Sequence, residues 1–409
     1  MIRSVLSLLI AFLSVLPGLT QAQSAPLTDE ARLAVVQRMN VLIEERYVFP
    51  EMAAKCTAQL EKLAANGSFK GAGEAEAFAR ALTEALMEVS QDKHLSVRVK
   101  PAEQQAAPGE EKSSFVQRAR SLGRNQEKNF GFEKVERLEG NVGYLDLRYF
   151  ARPSDALDTA TAAMRFLENT DALIFDMRQN GGGSPGMVHF LCSYLFEERT
   201  HLNSFYYREG DRIEDYWTLP GVPGTKMPDV PVYVLTSSKT FSGAEEFSYN
   251  LRTRKRATLV GETTRGGANP GSSFSIDGQF EIFIPVGRAI NPVTGTNWEG
   301  IGVQPHVSVA AEGALRLALD LARPAAEIYR AAKLAPWDAL DAAYAGAIRL
   351  HDLKQPVDAA RVLTAGLRAA IEAGVLDEDG VEALGQDLVR ASHEALAAHA
   401  FKVKAEAFG

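Results

Sequence analysis

Apolar and polar positions alternate differently in three parts of the chain. From residue 28 to 87 the apolar residues recur every three or four positions, which is the spacing of an amphipathic helix. Breaks at Phe49-Pro50 and at Asn66-Gly67-Ser68 divide this part into about three helices. The pattern therefore predicts a small helical domain over residues 26–100.

The next segment, residues 101–130, is polar and has no sustained period. It is rich in Gln, Glu, Lys, Ser and Pro, and such a composition is typical of an exposed connector. We therefore predict no regular element here.

Residues 131–310 show the pattern of an α/β domain, in which short apolar runs alternate with helical periods. The predicted helices cover Pro153–Asn169, Met187–Phe196 and Gly243–Arg254, and a polar insert is expected over Tyr206–Lys226. The predicted strands are Phe132–Leu138, Val142–Leu147, Ala172–Met177, Val232–Thr236, Ala257–Gly261 and Gln279–Pro285.

Residues 311–409 turn to Ala, Leu, Arg and Glu at helical spacing. Helix breaks are expected at Pro324, at Pro336 and at Asp377-Glu378-Asp379-Gly380. The pattern predicts a separate set of helical hairpins of a TPR-like kind, although no repeat consensus is matched. We expect these helices to be a place for protein interaction or oligomerisation.

The first 22 residues read as a secretory signal peptide. Arg3 precedes an apolar run from Val5 to Leu16, and the small-residue site that ends at Ala22 is where cleavage is expected. The alternative is an uncleaved membrane anchor, but the run is shorter than the ~20 residues of a spanning helix. We expect a periplasmic or secreted protein with no membrane span after cleavage.

Composition narrows the range of partners. The chain has 44 Lys and Arg against 52 Asp and Glu, and this acidic balance argues against nucleic acid or an anionic membrane as the main partner. Cys56 and Cys192 fall in separate predicted domains, so we favour buried free thiols over a disulfide. No CxxC or HExxH spacing occurs, and the residues imply neither a metal nor an organic cofactor.

One serine, Ser242, lies where a predicted buried strand gives way to a helix. At such a corner a hydroxyl is presented at the carboxyl edge of the sheet, beside the free N–H groups of the helix. A nucleophile suits this geometry, but a simple helix cap is the commoner role of serine there.

A second segment, Asp176 to Ser184, runs from a predicted strand into Gly181-Gly182-Gly183. Without Cβ atoms, this backbone can turn sharply and direct N–H groups toward a developing oxyanion. A phosphate-binding loop is disfavoured because no Gly-Lys-Ser/Thr follows. The plain alternative is a tight turn without chemistry.

Together these segments resemble the tail-specific (carboxyl-terminal processing) protease family, peptidase family S41. The matching runs are Asp176–Gly183, Thr240–Glu245, Val260–Gly267 and Gly300–Val307, with His306 where the family usually has Asp. The resemblance implies a ClpP/crotonase-like ββα superhelix core, a peptide or protein substrate, and a serine hydrolase activity.

The family divides by what activates the serine, and this chain resembles the branch without the lysine. Gly267 stands at the lysine position, whereas Asp92-Lys93-His94 and Trp298-Glu299-Gly300 resemble segments of the tricorn-like and retinoid-binding branch. The resemblance thus implies that His94 is the general base and Glu299 its supporting carboxylate, either directly or through a hydroxyl such as that of Ser96. The oxyanion would be held by N–H groups of Gly243 and of Gly181 or Gly182.

Several alternatives remain open on the sequence. His306 and Lys239 are rival activators of the serine, although a structural or solvent-facing role suits both. The connector is too short for the PDZ domain that many family members use to capture substrate tails. A binding module for apolar ligands or peptides on the same scaffold is therefore the rival to a peptidase, and the tail is a candidate scaffold for partners.

Overall fold

The computed structural model describes residues 27–70, 74–101, 104–105 and 114–409. The predicted signal peptide lies outside the described residues. Eleven α-helices are found in the described part of the chain: α1 (Asp29–Arg46), α2 (Pro50–Ala65), α3 (Ala75–Ser90), α4 (Ser114–Glu127), α5 (Pro153–Leu167), α6 (Pro185–Ser193), α7 (Gly243–Thr253), α8 (Ala311–Asp352), α9 (Pro356–Glu372), α10 (Glu378–Arg390) and α11 (Glu394–Phe408).

Twelve strands are found in the same described ranges, and they form three sheets. They are β1 (Ser96–Val99), β2 (Phe132–Leu138), β3 (Val142–Leu147), β4 (Ala172–Asp176), β5 (His201–Tyr207), β6 (Arg212–Trp217), β7 (Val232–Thr236), β8 (Thr258–Gly261), β9 (Gly271–Ser275), β10 (Phe280–Pro285), β11 (Gly287–Ile290) and β12 (Val307–Ser308).

The amino-terminal helices form as their sequence predicts. The hydroxyl of Thr28 caps α1 by accepting a hydrogen bond from the Ala31 N–H at 3.1 Å, and Pro50 starts α2, where its missing N–H costs nothing. Met39, Leu60 and Phe78 are fully buried between the three helices. The same apolar cluster continues onto β10, so the helical domain packs on a strand that follows Ser242 in sequence.

A six-stranded sheet in the order β12-β8-β7-β4-β3-β2 is the centre of the molecule. All neighbouring pairs are parallel except β2 with β3, which form a hairpin. The fully buried β4 and β7 explain the unbroken apolar runs that marked them in the sequence. Helices α5, α6 and α7 share the apolar core of one face of this sheet.

The opposite face of the central sheet is covered by α8. Four alanines spaced by four residues, Ala314, Ala318, Ala322 and Ala326, are fully buried against Ile174, Leu235 and Val260 of the sheet. Small side chains on one stripe allow the helix to approach the strands closely. We expected from the sequence that the tail would be separate from the core. It is not, because its first helix forms a layer of the α/β domain.

The helix breaks predicted at Pro324 and Pro336 are wrong. Helix α8 runs through both prolines for 42 residues. Proline removes one backbone hydrogen bond from a helix interior, and here packing on the sheet and against α9 outweighs that cost. The prediction of helical hairpins holds farther along, where α9, α10 and α11 share one apolar core.

Two polar regions contain elements that the sequence did not reveal. The predicted connector holds α4, whose Phe115 is 78% exposed, so there was no buried stripe to give a readable period. The predicted polar insert holds β6 and part of β5, which pair with each other and with β11 in a separate antiparallel sheet.

The two cysteines are free and buried, as predicted. Within the described ranges, no helix has both the length and the apolar character needed to cross a membrane.

Candidate active site

Ser242 lies at the corner between β7 and α7, as the sequence predicts. Its backbone has φ 55° and ψ −119°, a conformation that is strained for a residue other than glycine. The residue is the N-cap of α7, so its side chain stands beside the free N–H groups of the first helical turn. The fold thus holds this hydroxyl in a fixed position at the carboxyl edge of the central sheet.

A buried carboxylate, Glu245, fixes that corner. It accepts hydrogen bonds from the backbone N–H of Ser242 at 2.8 Å and from that of Gly267, also at 2.8 Å. The Gly266 N–H and the Thr264 hydroxyl donate to its other oxygen, each at 2.5 Å. Burial raises the pKa of Glu245, and these four donors oppose the rise. Glu245 was not among the predicted site residues, although the Ser-x-x-Glu spacing of a capping box could have revealed it.

The glycine turn after β4 packs directly against Ser242. Gly182 and Gly183 have φ values of +99° and +138°, and a Cβ on Gly182 would lie 2.7 Å from the Ser242 Cβ. Only glycine therefore fits at this contact. The sequence-predicted pairing of the triple glycine with the serine is present in the structure.

The amide groups of this turn differ in what they bind. The Gly181 N–H donates to the Arg148 carbonyl at 3.2 Å, and the Gly182 N–H donates to the Asn180 side chain at 2.8 Å. The N–H groups of Gly183 and Gly243 have no acceptor among the described residues. A Cβ on Gly243 would lie 3.1 Å from the Gly183 nitrogen, so these two amides are neighbours.

His94 lies in the turn between α3 and β1 and lines the same cavity as Ser242. Its ring stands against Phe241, with centroids 4.4 Å apart, and faces Phe283 at 5.8 Å. Burial lowers the pKa of His94 to about 4, opposed by the charge of Asp92 and assisted by that of Arg265. The imidazole is therefore neutral near pH 7.

No hydrogen bond joins His94 to Ser242 in the described part of the chain. The Nδ1 atom of His94 is fully buried and has no hydrogen-bond partner. The Nε2 atom is not fully buried in this way.

Gly267 explains why a lysine cannot serve here. A Cβ at this position would lie 2.2 Å from Cε2 of Phe241 and 2.7 Å from Cε1 of His94. The space that a Gly267 side chain would need is therefore filled by the imidazole and the phenyl ring. A histidine in this position and a lysine at 267 exclude each other.

Glu299 lies behind His94. Its Oε2 accepts a hydrogen bond from the Ala268 N–H at 2.6 Å, while Oε1 is buried without a partner. A ring nitrogen of His94 and one carboxylate oxygen each of Glu299 and Asp92 lie within 4.8 Å of one another. Burial, with a further contribution from the charge of Asp92, raises the pKa of Glu299 to about 7.

Asp92 positions the histidine, a role that we did not assign from the sequence. It accepts hydrogen bonds from the backbone N–H of His94 at 3.0 Å, from the Tyr47 hydroxyl at 3.1 Å and from the Asn269 side chain at 3.0 Å. The Ser96 hydroxyl, in contrast, donates to the His94 carbonyl at 3.0 Å. In the structure it is thus bound to the backbone of His94 and not placed between the imidazole and Glu299.

The rival activators lie elsewhere. His306 accepts a hydrogen bond from the Leu259 N–H at 3.0 Å through Nδ1, and Lys239 is exposed. Neither lines the cavity that holds Ser242.

Two clusters in the described ranges have side chains that could hold a metal ion: Asp92, His94 and Glu299, and separately His351, Asp352 and His393. The Asp92 carboxylate of the first cluster already accepts three hydrogen bonds.

Two protein-family models match the parts of the chain that form this site. Residues 141–309 match the model for peptidase family S41, and residues 18–129 match the model described as the N-terminal domain of Peptidase_S41 in eukaryotic IRBP. The first match contains Ser242, the glycine turn and Glu299, and the second contains His94. The two matches together span more than half of the chain.

The comparison with solved structures gives the following matches. One is a protein from Bacteroides fragilis that is described as an S41 protease. It is 21% identical to this chain, the match covers 47% of this chain and 57% of that chain, and the TM-score is 0.41. A lipoprotein from Streptococcus agalactiae has 15% identity over 73% of this chain and 98% of that chain, with a TM-score of 0.48. The photosystem II D1 C-terminal processing protease has 15% identity over 73% of this chain and all of that chain, with a TM-score of 0.42.

The fold and the site define an α/β protein with a serine held at a strand-to-helix corner beside a glycine turn. The chain belongs to peptidase family S41, a family of serine-type peptidases with a ClpP/crotonase-like core.

Proposed function

We propose that the protein is a serine peptidase that cleaves peptide bonds through an acyl-enzyme on Ser242, with His94 as general base and Glu299 as supporting carboxylate. The single observation that carries the proposal is the shared cavity, of about 330 Å³, that Ser242, His94, Gly183 and Gly243 line together. A nucleophile, a neutral base and unpaired amide donors thus meet at one concave site.

The proposed reaction follows from these positions. The Ser242 oxygen attacks the peptide carbonyl carbon while its proton passes to His94, and the negative charge on the carbonyl oxygen is held by the N–H groups of Gly243 and Gly183. We prefer Gly183 to the predicted Gly181 and Gly182, since the amides of those two already have acceptors.

The intermediate then collapses to products. The C–N bond breaks as His94 returns the proton to the leaving amine, and water hydrolyses the acyl-enzyme by the same proton transfers in reverse. Glu299, when ionised, stabilises the imidazolium that forms in both steps.

Labelling of the serine tests the proposal. A fluorophosphonate probe should modify wild-type protein at Ser242, and Ser242→Ala should abolish both labelling and hydrolysis of a casein-derived peptide mixture. Ser238→Ala, on the same loop but outside the cavity, is the matched control and should still be labelled. Absence of labelling in folded wild-type protein, together with tight binding of an apolar peptide, would favour the binding-module alternative.

The proposal includes export of the protein to the periplasm or the outside of the cell. It is supported by the apolar run from Val5 to Leu16 and the small-residue site ending at Ala22. Expression in a bacterium followed by amino-terminal sequencing should give a mature chain that begins at Gln23. Recovery of the intact chain from the cytoplasm would contradict export.

A further inference from the structure

A second acidic side chain of α7, Glu246, lines the cavity that holds Ser242. It is 2% exposed and stands four residues after the serine, within the first turns of α7, and both residues line the same cavity. It is the one carboxylate among the residues that line this cavity. The peptidase mechanism proposed above does not use it.

The two oxygens of Glu246 differ in their surroundings. Oε1 lies 2.8 Å from Nε2 of His189 and 3.5 Å from the Asn203 side-chain nitrogen. Oε2 accepts no hydrogen bond from the described residues, and it is not one of the polar atoms that are both fully buried and without a hydrogen-bond partner. Since the residue itself lines the cavity, Oε2 retains contact with that space. A buried carboxylate oxygen with no donor of its own is a strong acceptor for a ligand.

The negative charge of Glu246 acts on its surroundings. It contributes, after burial and the neighbouring Tyr207, to raising the pKa of Tyr216 to about 12, and after burial to raising the pKa of Cys192. His189 is held in place by packing on the Tyr216 ring, with centroids 4.5 Å apart. The carboxylate is thus fixed by its partners and not free to turn away from the cavity.

The walls between Ser242 and Glu246 are apolar. Phe205, Phe283, Trp298, Pro185 and Pro270 line the cavity, which measures about 330 Å³. Such walls suit the methylene stem of a long side chain, and the carboxylate at the far end suits a positive group at its tip. A negative side chain would be repelled by the like charge of Glu246 there.

From this arrangement we propose that the cavity is a specificity pocket for a cationic side chain, lysine or arginine, on the residue that supplies the attacked carbonyl, with Glu246 as its charge partner. The proposal rests on the proposed peptidase function and adds the substrate class.

Binding of a small cation tests the pocket without catalysis. Benzamidine should bind the Ser242→Ala protein in isothermal titration calorimetry, and the neutral benzamide should bind on the order of 10-fold more weakly or worse, because it cannot pair with the carboxylate. Equal binding of the two, or no binding of either, would overturn the pocket. This measurement does not depend on whether Ser242 is a nucleophile.

Cleavage preference tests the same residue in the active enzyme. Among fluorogenic peptides that differ only at the residue before the cleaved bond, lysine should give a higher kcat/KM than the isosteric norleucine. Glu246→Gln should lower the lysine-to-norleucine ratio on the order of 10- to 100-fold, the loss expected for a buried charged hydrogen bond. Glu136→Gln, which removes the same charge from the edge strand β2, should leave the ratio unchanged. An unchanged ratio in Glu246→Gln would refute the assignment.

Two further results keep the outcomes distinct. If Glu246→Gln does not fold, protection of wild-type Ser242 from the fluorophosphonate probe by benzamidine, but not by benzamide, still decides the question. If Ser242 is not labelled at all while benzamidine binds the Ser242→Ala protein, the peptidase function fails and the cationic pocket stands.

Discussion

At the residue scale, the same burial acts in opposite directions on two neighbouring groups. It lowers the pKa of His94 to about 4 because the charged imidazolium is disfavoured, and it raises the pKa of Glu299 to about 7 because the charged carboxylate is disfavoured. Near neutral pH the imidazole is therefore uncharged and able to accept a proton, while the carboxylate behind it is only partly ionised. Ionisation of Glu299 therefore costs free energy in the folded state, because the carboxylate is buried.

This cost predicts the pH dependence of stability. The folded pKa of Glu299 lies above the unfolded value of ~4.3, so the folded state is favoured while the carboxyl is protonated, and that advantage is lost as pH rises from ~4.3 through about 7. Glu299→Gln should therefore raise the free energy of unfolding at pH 8 by ~1–3 kcal/mol relative to wild type, and by almost nothing at pH 4.

Urea unfolding of both proteins at a series of pH values measures this difference. The opposite contribution of His94, whose stabilisation is lost as pH falls below ~6.5, is present in both proteins and largely cancels. Glu136→Gln, at a half-buried surface site on β2, should show no such trend. A stability difference that is the same at pH 4 and pH 8 would contradict the raised pKa of Glu299.

At the element scale, prediction succeeded where burial of a helix or strand imposes a pattern on its own sequence. Strands β3 and β7 were predicted with their observed bounds because both consist mainly of buried apolar residues. Helix α4 and strand β6 are largely exposed, so their polar sequences carry little periodicity. Helix α8 shows a further limit, since local rules break it at Pro324 and Pro336 whereas contacts with the sheet and α9 keep it continuous.

At the whole-molecule scale, the candidate site forms only because two parts of the chain dock. The helical domain supplies His94, and the α/β core supplies Ser242 and Glu299. Asp92 joins the two, since it binds Tyr47 and His94 on one side and Asn269 on the other. The apolar cluster that runs from α1 to α3 onto β10 holds the same interface closed.

This docking makes Asp92 a positioning residue, and its removal should affect catalysis and stability together. Asp92→Ala leaves three donors without their acceptor and should lower the free energy of unfolding by ~2–4 kcal/mol. It should also lower the rate of Ser242 labelling on the order of 10- to 100-fold, because the imidazole loses its fixed place.

Asp92→Asn keeps one carbonyl oxygen and should recover part of both losses. The measurements are urea unfolding and labelling kinetics on protein verified as folded by circular dichroism. A destabilised but folded Asp92→Ala protein that is labelled at the wild-type rate would show that Asp92 is only structural.

The sequence by itself determined the helical front domain, five of the six strands of the central sheet and the helices packed beside them, the strand-to-helix corner at Ser242 and the glycine turn beside it. Each of these depends on neighbours in the chain: apolar periodicity, turn residues and the freedom of glycine to take positive φ values. The resemblance that pointed to His94 and Glu299 also came from short runs of sequence.

Only the tertiary structure decided which groups meet. The pairing of Asp92 with Asn269, the hydrogen bond of the Gly181 amide to Arg148, the exclusion of any side chain at Gly267 and the place of Glu246 in the cavity wall all depend on segments far apart in sequence. Local patterns do not record such contacts, because burial and hydrogen-bond partners are set by packing between elements.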